Sequence, residues 1–97
     1  MRLSDKERAI IKKGIDTVIG DATVYLFGSR VDDTKKGGDI DLYIIPKIEH
    51  DLFRKKLKLK TFLEDKLYKP VDIVISKNRQ RPIEQEALKG IKIQGST

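Results

Sequence analysis

Three short runs of β-branched and aromatic residues most constrain the fold of this chain. They lie at 22–27 (ATVYLF), 39–45 (DIDLYII) and 71–75 (VDIVI), and each has the composition of a strand. Residues 28–38 are polar and end in two glycines, which predicts a loop. Because this loop is short, we expect the first two strands to pair directly as an antiparallel unit, whereas the long segment before the third strand fits a crossover.

Helical patterns precede, separate and follow these strands. A capping-box sequence at 4–7 (SDKE) opens an amphipathic run that Gly20 ends. Residues 49–68 place leucines and a phenylalanine on one broad arc, and a short helix with proline in its first turn occupies 82–90. The last residues add a short strand or stay irregular. The order predicts one α/β (α+β) domain over 1–97, a small mixed sheet with helices packed on one face.

Composition narrows the chemistry that the chain can perform. The 97 residues include no cysteine and one histidine, which excludes thiolate sites and histidine-cluster zinc sites. A bound metal must then be a hard cation on oxygen ligands. The net charge of +6 favours acidic partners, with nucleic acid less favoured, although an ordinary solvated surface also accounts for the charge. No signal peptide or apolar span is apparent, so we expect a cytoplasmic protein without membrane contact.

Two aspartates in the second predicted strand, Asp39 and Asp41, are the most informative residues. Alternate residues of a strand point to one side, so both carboxylates project from the same face. Like charges repel, and a cation between them relieves the repulsion, although a solvated edge strand is an alternative explanation. Asp72 lies in an otherwise apolar third strand, where a turn-proximal position also explains it. If these strands are neighbours, three carboxylates converge as a two-Mg²⁺ site requires.

The residues that follow the first strand, Gly28, Ser29 and Arg30, suit contact with a phosphate. A glycine lets the backbone approach a ligand closely, and the Ser29 hydroxyl with nearby N–H groups can donate to phosphate oxygens. Arg30 either adds positive charge there or pairs with Asp32 or Asp33 on the surface. No Walker-type GxxxxGK[ST] pattern occurs in the sequence.

Together these motifs resemble the DNA polymerase β-like nucleotidyltransferase superfamily, and in length its minimal nucleotidyltransferases. The shared pattern is a hydrophobic residue, Gly28-Ser29, nine residues, Asp39-x-Asp41 and a later aspartate, Asp72. The resemblance covers nearly the whole chain and implies a palm-like core. It also implies that the glycine and serine hold the β- and γ-phosphates of ATP. The three aspartates would bind two Mg²⁺ ions, for which Mn²⁺ can substitute, and Asp72 would help to deprotonate an acceptor hydroxyl.

The same resemblance implies a protein partner. Minimal nucleotidyltransferases commonly pair with a small helical HEPN-type toxin, for which they are the antitoxin, and some members AMPylate the toxin. We therefore expect a hetero-oligomer in which AMP passes from ATP to a hydroxyl-bearing side chain of that toxin. Two alternatives are an antitoxin that neutralises by binding alone and an adenylyltransferase for a small molecule such as an aminoglycoside. The three intact aspartates favour catalysis over binding alone.

Overall fold

The computed structural model describes residues 4–28, 39–77 and 80–95. Its helices and strands are, in chain order, α1 (Asp5–Val18), β1 (Ala22–Phe27), β2 (Ile40–Pro46), α2 (Leu52–Leu67), β3 (Val71–Ile75), α3 (Pro82–Leu88) and β4 (Ile91–Gln94). The three predicted strands are confirmed, and the tail supplies a fourth. The second helix begins later than predicted, because Asp51 at its N-cap has a left-handed backbone with φ of 53°. Within these ranges no helix is long and apolar enough to cross a membrane.

The four strands form one mixed sheet in the order β3-β2-β1-β4. Strand β1 pairs antiparallel with both β2 and β4, whereas β2 and β3 run parallel. Parallel neighbours need a long connection, and α2 provides it. The antiparallel first pair and the crossover were both predicted. Strand β2 consequently lies between β3, which carries Asp72, and β1, which Gly28 directly follows.

Helices α1 and α2 cover one face of the sheet. The capping box of α1 is present, since the Ser4 hydroxyl accepts from the Glu7 N–H at 3.1 Å and the Glu7 carboxylate accepts from the Ser4 N–H at 3.0 Å. Gly20, with φ of 93°, follows the C-cap residue of α1. Alternate strand residues meet the two helices in the main core, whose fully or nearly fully buried members include Ile11, Ile15, Val24, Leu26, Ile40, Leu42, Ile44, Leu59, Leu63, Val71 and Ile73.

Helix α3 packs on the opposite face, which corrects the expectation that all helices share one face. The cause lies in β1 and β2, whose outward-alternating residues are also large and apolar. Phe27 and Tyr43 form a second core with Ala87 of α3, and the rings of Tyr25 and Tyr43 lie 6.2 Å apart. Because both faces of these strands are apolar, both need a cover.

A buried glutamate anchors α3 to this second face. Glu84 is fully buried, and its Oε1 accepts from the Tyr43 hydroxyl at 2.7 Å and from the Lys77 N–H at 3.1 Å. Its Oε2 accepts from Arg81, whose guanidinium also donates to the Ile75 carbonyl at 3.0 Å. A buried carboxylate is tolerated only with such partners.

Candidate active site

The parallel pairing of β2 with β3 places Asp41 directly beside Asp72. The two residues are partners in the register, and paired residues of neighbouring strands project from the same face. That face is the one on which α3 packs, because Tyr43, two residues after Asp41, points into the second core. Tyr43 is fully buried, whereas Asp41 is half-buried and Asp72 is exposed. The two carboxylates therefore lie where the helical cover of this face gives way to solvent.

The electrostatics of Asp41 reflect this crowding of negative charge. Its pKa is raised from 3.8 to about 6, first by desolvation, then by the charges of Asp72 and Asp39 and by a hydrogen bond with the Asp72 side chain. Asp39 and Asp72 thus both act on Asp41 at one end of the sheet. Burial and these neighbouring negative charges make the ionised form of Asp41 unfavourable, and a divalent cation would offset the negative charge.

Gly28 closes the site from the β1 side. It follows Phe27, which pairs with Asp41 in the antiparallel register. Its φ of 76° lies in the left-handed region, and a Cβ on this residue would overlap Oδ2 of Asp41. The start of the predicted phosphate-binding loop therefore lies directly against the Asp41 carboxylate. Ser29 and Arg30 lie outside the described residues, so their contacts with a phosphate stay predictions.

The chemistry of the three aspartates suits a hard cation. Asp39 is exposed just before β2, and Asp41 and Asp72 are already in contact with each other. Carboxylate oxygens are the ligands that Mg²⁺ and Mn²⁺ prefer. Among residues 4–28, 39–77 and 80–95, no three ligating side chains are already grouped as a metal site. The donors fit such an ion, and the side chains would have to turn towards it.

Sequence reasoning did not single out Lys60 of α2. Its Nζ lies 4.0 Å from Oδ1 of Asp72 and donates to Glu64 and to the Val71 carbonyl. The Val71 N–H, followed by the Lys60 side chain, lowers the pKa of Glu64. The i,i+4 spacing of Lys60 and Glu64 was a visible signal of their pairing. Their contact with β3 depends on how the crossover helix packs, which spacing does not reveal.

A separate groove of about 680 Å³ runs between α2, β3 and α3. Leu52, Phe53 and Ile83 line it, with Lys56 and Lys77 among its charged residues. None of the three aspartates contributes to it, and it lies towards the C-terminal end of β3, whereas Asp72 is at the N-terminal end. The groove is therefore separate from the aspartates and Gly28.

Comparison with known proteins confirms the resemblance. The family model described as polymerase beta, nucleotidyltransferase matches residues 10–96. Three solved structures are similar, and the alignment with each covers 74% of the matched chain. The toxin–antitoxin MntA–HepT has a TM-score of 0.75 and 20% identity over 96% of this chain, and a toxin–antitoxin with AMP-PNP has a TM-score of 0.78 and 22% identity over 93%. A tri-AMPylated Shewanella oneidensis HEPN toxin in complex with MNT antitoxin has a TM-score of 0.72 and 21% identity over 97% of this chain. At these identities the likeness to solved structures shows a shared fold. No functionally curated protein matches the sequence.

The raised pKa of Asp41 predicts how the metal-free protein responds to pH. Between its ordinary pKa of 3.8 and about 6, the folded protein holds a proton that the unfolded chain has lost. The stability that the folded protein gains by holding this proton is fully present below pH 3.8 and is lost as the pH rises through about 6. Asp41→Asn should therefore raise the melting temperature in EDTA at neutral pH, with the gain shrinking towards acid pH. Calorimetry across this range measures it, with the exposed Asp21→Asn as a control. A lower melting temperature for Asp41→Asn at neutral pH would contradict the account.

The contact of Gly28 with Asp41 predicts how an alanine at this position changes cation binding, and Gly20 is a matched control. Both glycines have positive φ, 76° and 93°, but only at Gly28 would a Cβ meet Asp41, since nothing lies within 4 Å at Gly20. Each alanine variant should lose about 1 kcal/mol of unfolding free energy from backbone strain alone. Gly28→Ala should also displace the Asp41 carboxylate and weaken Mn²⁺ binding, whereas Gly20→Ala should leave it intact. Urea unfolding and Mn²⁺ titration separate the two effects, and equal Mn²⁺ affinities would refute the contact.

Proposed function

This chain belongs to the polymerase beta nucleotidyltransferase family, and we propose that it transfers AMP from ATP to an acceptor hydroxyl with the help of divalent cations. The observation that carries the proposal is the placement of Asp41 beside Asp72, with Gly28 against the same carboxylate. Transfer of a nucleotidyl group depends mainly on positioning and on positive charge near the phosphates. A pair of carboxylates that holds divalent cations beside an open backbone turn would meet both needs.

Each residue has a distinct role in the proposed reaction. The acceptor oxygen attacks the α-phosphorus of ATP, a new O–P bond forms, the bond to the bridging oxygen breaks, and pyrophosphate leaves. Mg²⁺ held by Asp39, Asp41 and Asp72 would neutralise the triphosphate and make the acceptor hydroxyl more acidic. Asp72 is exposed on the edge strand, where an acceptor can approach, and its carboxylate takes up the hydroxyl proton.

The phosphates have their own contacts in this proposal. Gly28 leaves its side of the Asp41 carboxylate free of a side chain, so a phosphate can approach the backbone there. The Ser29 hydroxyl then donates to the β- and γ-phosphates, and Arg30 adds positive charge beside them. These contacts would hold the α-phosphorus in line between the acceptor oxygen and the departing pyrophosphate.

We further propose that the acceptor is a hydroxyl-bearing side chain of a HEPN-type toxin, for which this chain is the cytoplasmic antitoxin. The support comes from proteins that share its fold over nearly its whole length. One is an MNT antitoxin in complex with a tri-AMPylated HEPN toxin, and another is a toxin–antitoxin with AMP-PNP. A hetero-oligomer follows from the same comparison. The expected nucleotide is ATP, with Mg²⁺ or Mn²⁺.

Mass spectrometry of the partner tests this function. Incubation of the cognate toxin with the wild-type chain, ATP and Mg²⁺ should raise the toxin's mass by one or more AMP units. Asp72→Ala should abolish that increase, because it removes the proton acceptor and a metal ligand. The complex should survive, since an aspartate engaged in metal binding contributes little to a protein interface. Asp65→Ala, which changes an exposed carboxylate on α2, is the control and should modify the toxin normally.

Two outcomes would overturn parts of the proposal. If Asp72→Ala still protects cells from the toxin as well as the wild type does, neutralisation works by binding alone and catalysis is not required. If the wild-type chain modifies no toxin with any of the four nucleoside triphosphates, the acceptor is wrong. A small-molecule acceptor such as an aminoglycoside would then be the next to assay.

A further inference from the structure

The outer edge of β3 is covered at the residue that precedes Asp72. The Ser76 N–H donates to the Ile44 carbonyl of β2 at 2.9 Å, so the peptide groups of even-numbered β3 residues face β2 and those of odd-numbered residues point outward. Val71 therefore presents both peptide groups at the edge. Unpaired edge groups invite pairing with other chains, and proteins commonly block them.

Two side chains of α2 take up both outward groups of Val71. The Glu64 Oε2 atom accepts from the Val71 N–H at 2.8 Å, and the Lys60 Nζ donates to the Val71 carbonyl. Lys60 also donates to the same Glu64 oxygen at 3.0 Å. The backbone before Asp72 is consequently held at two points by a pair of residues that hold each other.

Asp72 then lies between two groups of opposite sign. On the β2 side its carboxylate lies beside that of Asp41, its partner in the register, and on the outer side its Oδ1 lies 4.0 Å from the Lys60 ammonium. The Asp72 side chain is 62% exposed, against 36% for Lys60. A carboxylate so exposed has little packing to select one rotamer. The ammonium, already fixed by two other partners, is the group that can hold it.

We infer that Lys60 is a positioning residue for nucleotidyl transfer, because its ammonium, held by Glu64 and the Val71 carbonyl, anchors Oδ1 of Asp72 on the outer side and so limits rotation of the carboxylate beside Asp41. The inference rests on the proposed function. Two lesser roles give different results when the charge is removed. If Lys60 only covers the strand edge, stability falls while cation affinity stays the same. If it is only a nearby positive charge, its removal tightens cation binding, because a like charge has been taken from the site.

Mn²⁺ binding to the nucleotide-free full chain separates these roles. Affinity is measured by electron paramagnetic resonance of free Mn²⁺ for the wild type, Lys60→Met, Lys60→Arg and Glu64→Gln, and urea unfolding shows that each variant is folded. Lys60→Met should weaken binding about tenfold, the lower end of the range for residues that orient metal ligands. Lys60→Arg should recover most of the affinity. Glu64→Gln, nearly isosteric, should show a smaller loss and serves if Lys60→Met does not fold.

Lys56→Met is the matched control, since Lys56 lies one turn earlier on α2 and lines the separate groove. It should bind Mn²⁺ as the wild type does. Unchanged or tighter binding in both Lys60→Met and Glu64→Gln would overturn the positioning role while leaving the proposed function in place. A wild-type chain that binds no Mn²⁺ would overturn the proposed function itself, and the positioning role with it.

Discussion

The parallel contact between β2 and β3 sets two carboxylates of the same sign side by side, and the rest of the fold must hold them there. Asp41 and Asp72 repel each other, and burial, followed by the charges of Asp72 and Asp39, raises the pKa of Asp41. The same two strands bury Ile40 and Leu42 completely, along with other apolar side chains, beneath α2. Burial of each such side chain contributes about 1.5–3 kcal/mol, so a few of them outweigh the repulsion. The site is therefore stable without a ligand but electrostatically unfavourable, which is the condition in which a cation binds well.

The second face of the sheet explains why the site opens where it does. Helix α3, anchored through Glu84, buries Tyr43 completely, whereas Asp41, two residues earlier on the same face, is only half-buried. The part of this sheet face that α3 covers therefore ends between Asp41 and Tyr43 of β2. Tyr43 belongs to the second core and Asp41 to the proposed site, although both side chains point to the same face of the sheet. A short helix consequently determines where the aspartates of the proposed site meet solvent, although it supplies none of them.

Local patterns predicted the first three strands and the α1 cap, because each depends on residues close in sequence, whereas Asp39, predicted within the second strand, lies just before β2. They did not predict that α3 packs on the opposite face, since period-two alternation shows that both faces are apolar but not which helix covers each. Glu84 and Lys60 were missed for a related reason, because their partners, Tyr43 and Val71, lie 41 and 11 residues away. Asp72 was predicted as a site residue because an acidic residue within an apolar strand is conspicuous. Its register with Asp41 had to come from the structure.

The central claim is that the aspartate cluster binds the cation through which the nucleotide is held. Calorimetric titration of the chain with ATP, in Mg²⁺ or Mn²⁺ and again in EDTA, tests it most directly. The account predicts binding that requires the divalent cation and is lost in the Asp39→Asn, Asp41→Asn double variant, which should remain folded because the substitutions relieve repulsion. ATP affinity that is equal in EDTA, or unchanged in the double variant, would contradict it.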